Sequence, residues 1–199
     1  MRCTQINRFS AKFLGLCFGV LGGGSVFAQE EVRALELARG AASSLLQQVR
    51  SELTKEMEIG GPLRAIVVCK YSTPEISSAI SRKLGGKVSR VSLKTRNPSL
   101  GSPDLWEQKV LQDFDRRATK GEKLDAMEWS ELVIEPIGRS FRYMKAIPIA
   151  QACLACHGPV DSLMPAIRAM LHNEYPHDQG MGYGLGQVRG GVTVKLPLP

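Results

Sequence analysis

Cys153-Leu154-Ala155-Cys156-His157 is the segment that most narrows what this chain can become. Two thiols separated by two residues, followed at once by an imidazole, can add to the two vinyl groups of a haem and set the imidazole beneath the iron. The pentapeptide therefore predicts covalent haem c on Cys153 and Cys156, with His157 as axial ligand. Two other chemistries use similar spacing. A redox disulfide would need a strand leading into a helix that activates the first thiol, whereas residues 148–152 form an irregular lead-in. Zinc would need a fourth ligand, and no second paired motif exists. One CxxCH implies one haem.

Haem attachment of this kind takes place outside the cytoplasm, and the N-terminus agrees. Arg2, Arg8 and Lys12 precede the apolar run of residues 13–21, and Val26-Phe27-Ala28 offers a signal-peptidase site. Residues 1–28 are thus expected to be a signal peptide and residues 29–199 a single periplasmic domain. An uncleaved anchor is the alternative, although the run is short for a span of roughly 20 apolar residues. No later stretch is apolar enough to cross a bilayer. The charge total is less informative than it looks. The chain carries +7, but the first 28 residues hold three bases and no acid, leaving 23 − 19 = +4. So small and dispersed an excess argues against nucleic acid, which favours a concentrated basic face.

The remaining chain reads as helices followed by an antiparallel sheet, an α+β class. Apolar residues from Val32 to Leu53 recur at helical intervals over 31–58, and Gly60-Gly61-Pro62 ends that helix. Residues 63–69 suit helix or strand. Thr73 reads as an N-cap with Pro74 at the first helical position, and Gly85-Gly86 closes the helix. A strand is expected over 87–94, a loop over 97–103, and a helix from Asp104 to about Lys120. Strand candidates 127–135 and 139–147 flank the short Pro136-Ile137-Gly138 connection of a hairpin. A last strand spans 188–196. Phe141, Tyr143, Trp106 and Trp129 read as core, and Asp104 and Glu107 as helix-start residues.

The sixth iron ligand is left open by the residues alone. Cys69, His172, His177, Met127, Met144, Met164, Met170 and Met181 all carry suitable atoms. Cys69 is equally well explained as a small core residue beside Ile66, Val67 and Val68. The methionines have apolar neighbours, and the two histidines lie in a polar stretch typical of surfaces. Haem carboxylates need cationic partners, and Arg96, Arg142, Lys145 and Arg189 are candidates, with solvated strand edges as the plainer account.

Several stretches together resemble a known family. They are Val68-Cys69 with Pro74 and Ile76, residues 90–98 with 103–107, residues 141–145, and Cys153 to Gly158. Tyr175-Pro176-His177-Asp178, Gly182-Tyr183 and Arg189-Gly190 complete the set. The chain is similar over residues 31–196 to the single-haem c-type cytochromes with a PAS-like fold, which occur as free periplasmic proteins and as extracytoplasmic sensor regions. That resemblance implies a PAS-like sheet flanked by helices, and His157 and Cys69 as the two axial ligands. Gln187, where an acidic residue is usual, and Gly191, where alanine is usual, depart from the pattern. Nothing resembling an output domain follows Pro199, so a free protein is expected.

Two protein ligands leave iron no open position, so an electron-transfer or redox-reporting protein is expected rather than an enzyme. Its redox partner is not legible. A sensor, in which a diatomic gas displaces the sixth ligand and a partner protein reads the change, is the second reading. A peroxidase-like enzyme is the third.

Overall fold

The computed structural model describes residues 23–199, with side chains from residue 28. Most of the expected signal peptide lies outside the described residues. Helix α1, Gly23–Val67, buries Ala34, Ala38, Ala41, Ala42, Leu45 and Val49 along one face. Four of the six are alanines, which lets the helix lie close to the sheet. Its break falls where the sequence expects an end: Gly61 sits at φ 67°, ψ −162°, a region essentially reserved for glycine. Beyond this break a second helical stretch begins at once. Residues 63–67 are helical, Val68–Ser72 form a wider π-type turn, and α2 (Thr73–Leu84) follows directly. Thr73 is therefore not an N-cap; its Oγ1 donates to the Val68 carbonyl at 3.1 Å, inside continuous helix. Pro74 does occupy the first turn of α2, and Gly85 ends it in the left-handed conformation.

Strand β1 (Lys87–Val91) leads through the short helix α3 (Pro98–Gly101) to α4 (Leu105–Thr119). Asp104 and Glu107 form a reciprocal capping box at the start of α4. The expected hairpin follows as β2 (Glu128–Glu135) and β3 (Gly138–Pro148). The pentapeptide ends in the one-turn helix α5 (Leu154–His157), α6 (Pro165–Glu174) comes next, and β4 (Val188–Leu198) completes the chain. The sequence reading had no helix at α6.

The sheet is antiparallel with order β1-β4-β3-β2, so the last strand lies at its centre. Its two faces bury different cores. Val88, Val192, Val194, Leu196, Phe141 and Tyr143 pack against α1 and α2. Val91, Met144, Ala146 and Val188 pack with Met127 against Val110, Leu111 and Phe114 of α4. A third cluster ties Ile66 of α1 to Leu163, Ile167, Leu171 and Tyr175 around α6, with Cys156 at its margin. Burial on both faces explains why β4 shows no alternation. Trp129 departs from expectation, lying 42% exposed on the edge strand β2. The fold is α+β, and among the described residues no helix is long and apolar enough to cross a membrane.

Candidate functional site

A cavity of about 630 Å³ lies between α2, β1, the loop after β1 and the start of β4. Cys69 and His157, 88 residues apart in sequence, both line it. Cys69 comes from the π-type turn, and His157 from the last position of α5. Cys153 and Cys156 lie outside the lining, on the turn that carries His157. Burial holds the Cys156 thiol above its ordinary pKa, with the Cys69 and Cys153 thiols near enough to add to the effect. Cys69, Cys153 and Cys156 are free thiols.

The His157 ring is oriented from its far side. Nδ1 lies 2.5 Å from the Gly180 carbonyl oxygen. A carbonyl only accepts, so Nδ1 carries the proton and Nε2 is left with its lone pair, the form a metal ligand requires. Arg189 Nε also stands 3.1 Å from Nδ1, but in this tautomer two N–H groups meet there and no bond forms. Burial, then the Arg189 and Arg96 guanidinium groups, press the imidazole well below its usual pKa and keep it neutral. The backbone is strapped as well. Tyr183 N donates to His157 O and Gly182 N to Gly158 O, each at 2.9 Å, and the Tyr183 ring stands edge-on to the imidazole.

The cavity is strongly cationic. Arg82, Lys87, Arg90, Arg96 and Arg189 line it, and no carboxylate does. Arg96 is engaged: Nε donates to Asp178 at 2.9 Å and Nη2 to the Cys156 carbonyl at 2.7 Å. Arg189 Nη1 donates to Ser92 Oγ and Lys94 O, and burial pushes its pKa down to about 10, still charged at neutral pH. Tyr175 adds a hydroxyl with no hydrogen-bond partner among the described residues, on a side chain only 6% exposed.

Of the four cations expected to serve haem carboxylates, the structure brings Arg96 and Arg189 to the cavity and takes the other two elsewhere. Arg142 points from β3 to the opposite face of the sheet, where it meets Asp104 and Glu107 and covers the Trp106 ring. Lys145 donates to the Asp125 carbonyl. The sequence reading missed Arg90, Arg82 and Lys87. Arg90 had a usable signal, since strand alternation puts it on the face of Val88, and its cross-strand partner is Val192. Among the alternative sixth ligands, His172 and His177 are exposed, Met127 and Met144 are buried in the α4 core, and Met164, Met170 and Met181 do not line the cavity.

The sequence profile of a family described as Tll0287-like matches residues 28–197. Among solved structures, the fold is similar to that of the cyanobacterial heme-protein Tll0287, with a TM-score of 0.57 and 22% identity. That match covers 89% of this chain and 98% of the other. No curated protein matches.

Proposed function

The chain belongs to the Tll0287-like family, and from that premise we propose that it is a periplasmic, single-haem c-type cytochrome of PAS-like fold that passes or reports electrons without transforming a substrate. The observation that carries the proposal is the joint presence of Cys69 and His157 in one cavity beside the Cys153/Cys156 pair. A relative crystallised as a heme-protein supports the same reading.

The residues fit such a group. His157 offers Nε2 while Gly180 holds Nδ1–H, the usual outer support of a ligating histidine. Cys69 offers sulfur, and Cys153 and Cys156 offer thioether attachment. Arg82, Lys87 and Arg90, in the cavity lining, would supply positive charge to neutralise haem carboxylates. The Tyr175 hydroxyl supplies a donor without an acceptor among the described residues. When bound, haem supplies a one-electron iron couple. The protein's part would be to hold His157 Nε2 and the Cys69 sulfur as ligand atoms and to set the local charge. Two protein ligands would leave no place for a substrate, which favours electron transfer over catalysis.

The test is an acid-acetone extraction and intact-mass measurement of protein exported from cells that mature c-type cytochromes. One haem per chain should survive extraction, and Cys153→Ala with Cys156→Ala should abolish it. Acid-stable haem in the double variant would refute the attachment site, and a bare polypeptide mass in the parent would refute the function. A reduced protein unresponsive to carbon monoxide agrees with electron transfer; ready displacement of the sixth ligand favours gas sensing instead.

A further inference from the structure

We propose that the buried Arg96–Asp178 ion pair is a positioning device for His157, acting through the Gly180 peptide. This deepens the haem reading above and rests on it. The contacts form a short chain. Asp178 Oδ2 accepts from Arg96 Nε at 2.9 Å, and its Oδ1 accepts from Gly180 N at 2.6 Å. The carbonyl of that same glycine accepts from His157 Nδ1. On its other side, Arg96 Nη2 donates to the Cys156 carbonyl at 2.7 Å and more weakly to Gly180 O at 3.4 Å. One guanidinium thus bridges the residue before the imidazole and the residue that orients it.

Stability alone is a poor account of this pair. The two side chains are 8% and 4% exposed, and a pair so buried often does no better for the fold than apolar residues of the same shape. Its geometry is better explained by what it fixes. A rigid carbonyl opposite Nδ1–H selects one tautomer, sets the ring plane, and makes the imidazole a stronger electron donor through Nε2. Stronger donation stabilises oxidised iron and lowers the reduction potential. A side chain at Gly180 would press on both neighbouring partners. A Cβ there would stand 2.7 Å from Arg189 Nη2 and 3.0 Å from Asp178 Oδ1.

The experiment compares Arg96→Met, Asp178→Asn and Gly180→Ala in the full chain carrying covalent haem, reading reduction potential and the electron paramagnetic resonance spectrum of the oxidised form. Loosening the carbonyl should raise the potential in all three and shift the spectrum. Simple charge removal behaves differently: losing the Arg96 cation would lower the potential, and losing the Asp178 anion would raise it. Opposite shifts in those two variants therefore overturn the proposal, as do unmoved readouts accompanied only by a lower melting temperature. Arg142→Met, which removes a buried arginine on the other face of the sheet, should lower the melting temperature without touching potential or spectrum; a shift there equal to that of Arg96→Met would also overturn the idea. If the charge variants do not accumulate, the neutral Gly180→Ala decides, and an unchanged potential in it sinks the proposal. Absence of acid-stable haem in the parent chain would instead mean that the cytochrome reading had failed.

Discussion

Tyr175 buries a hydroxyl beside Cys69 with no hydrogen-bond partner among the described residues, and burial raises its pKa above the ordinary phenol value. Leaving such a group unsatisfied costs about 1–3 kcal/mol. Tyr175→Phe in the haem-free Cys153/Cys156 double variant is therefore expected to melt at a higher temperature. The gain should shrink or reverse in the haem-loaded protein if the hydroxyl finds its acceptor there; an equal gain in both forms would show that it serves no bound group. Cys69→Ser makes the complementary test. An anionic sulfur ligand stabilises oxidised iron, so its loss should raise the reduction potential and change the oxidised absorption spectrum. A redox titration and spectrum indistinguishable from the parent would remove Cys69 as ligand. At this scale Gly191, where the sequence resemblance leads one to expect alanine, has a local explanation. A Cβ at Gly191 would stand 2.6 Å from the Met144 sulfur, so the methionine occupies the space that an alanine would need.

Glu128, at the start of β2, joins elements distant in sequence. It accepts from the Tyr143 hydroxyl of β3 at 2.7 Å and pairs with Arg39 of α1. Burial alone would push this carboxyl up, but the hydrogen bonds from Arg39 and Tyr143 outweigh it and hold it below the usual value. A carboxyl that titrates lower in the fold than in the unfolded chain contributes fully above about pH 4.5, and the contribution fades as pH falls through its folded value. Glu128→Ala should cost about 1–3 kcal/mol at neutral pH by stranding the Tyr143 hydroxyl. Denaturant titrations should show the gap to the parent narrowing in acid, by the part that titrates with Glu128; a gap independent of pH would contradict this assignment. The same elements show what a sequence can and cannot reveal. The β2–β3 hairpin and the α4 capping box were legible because their signals are local: a short turn, and an Asp and Glu three residues apart. The run from α1 into α2 was not. Gly60-Gly61-Pro62 does break the helix as read, but helix resumes at once, and Thr73-Pro74, which looks like a start, lies inside it; from the stretch between, Ile66 packs against α6. The cationic residues failed for a related reason. Arg142 and Arg96 both occur in matched segments, but which face of the sheet each serves depends on partners 35 and 82 residues away. Helix α6 did leave a trace, with Pro165 at its first turn and Ile167, Met170 and Leu171 at helical spacing.

At the level of the whole molecule, charge is distributed unevenly. Several positives outside the cavity have an acidic partner, among them Arg39, Arg64, Lys70, Arg116, Arg117 and Lys195. Among the described residues, Arg82, Lys87, Arg90 and Arg189 of the cavity form no ion pair. Like charges around one void repel, and dissolved salt weakens that repulsion over roughly 10 Å at 0.1 M. The Cys153/Cys156 double variant should therefore gain thermal stability steeply with added sodium chloride, while the haem-carrying parent gains little. Parallel salt responses in the two would mean that this charge is already balanced. A hollow lined by unpaired like charges works against its own closing. Were haem to fill it as proposed, cofactor insertion and the final consolidation of the polypeptide would become one event, and a chain that missed its prosthetic group would stay open to quality-control proteases.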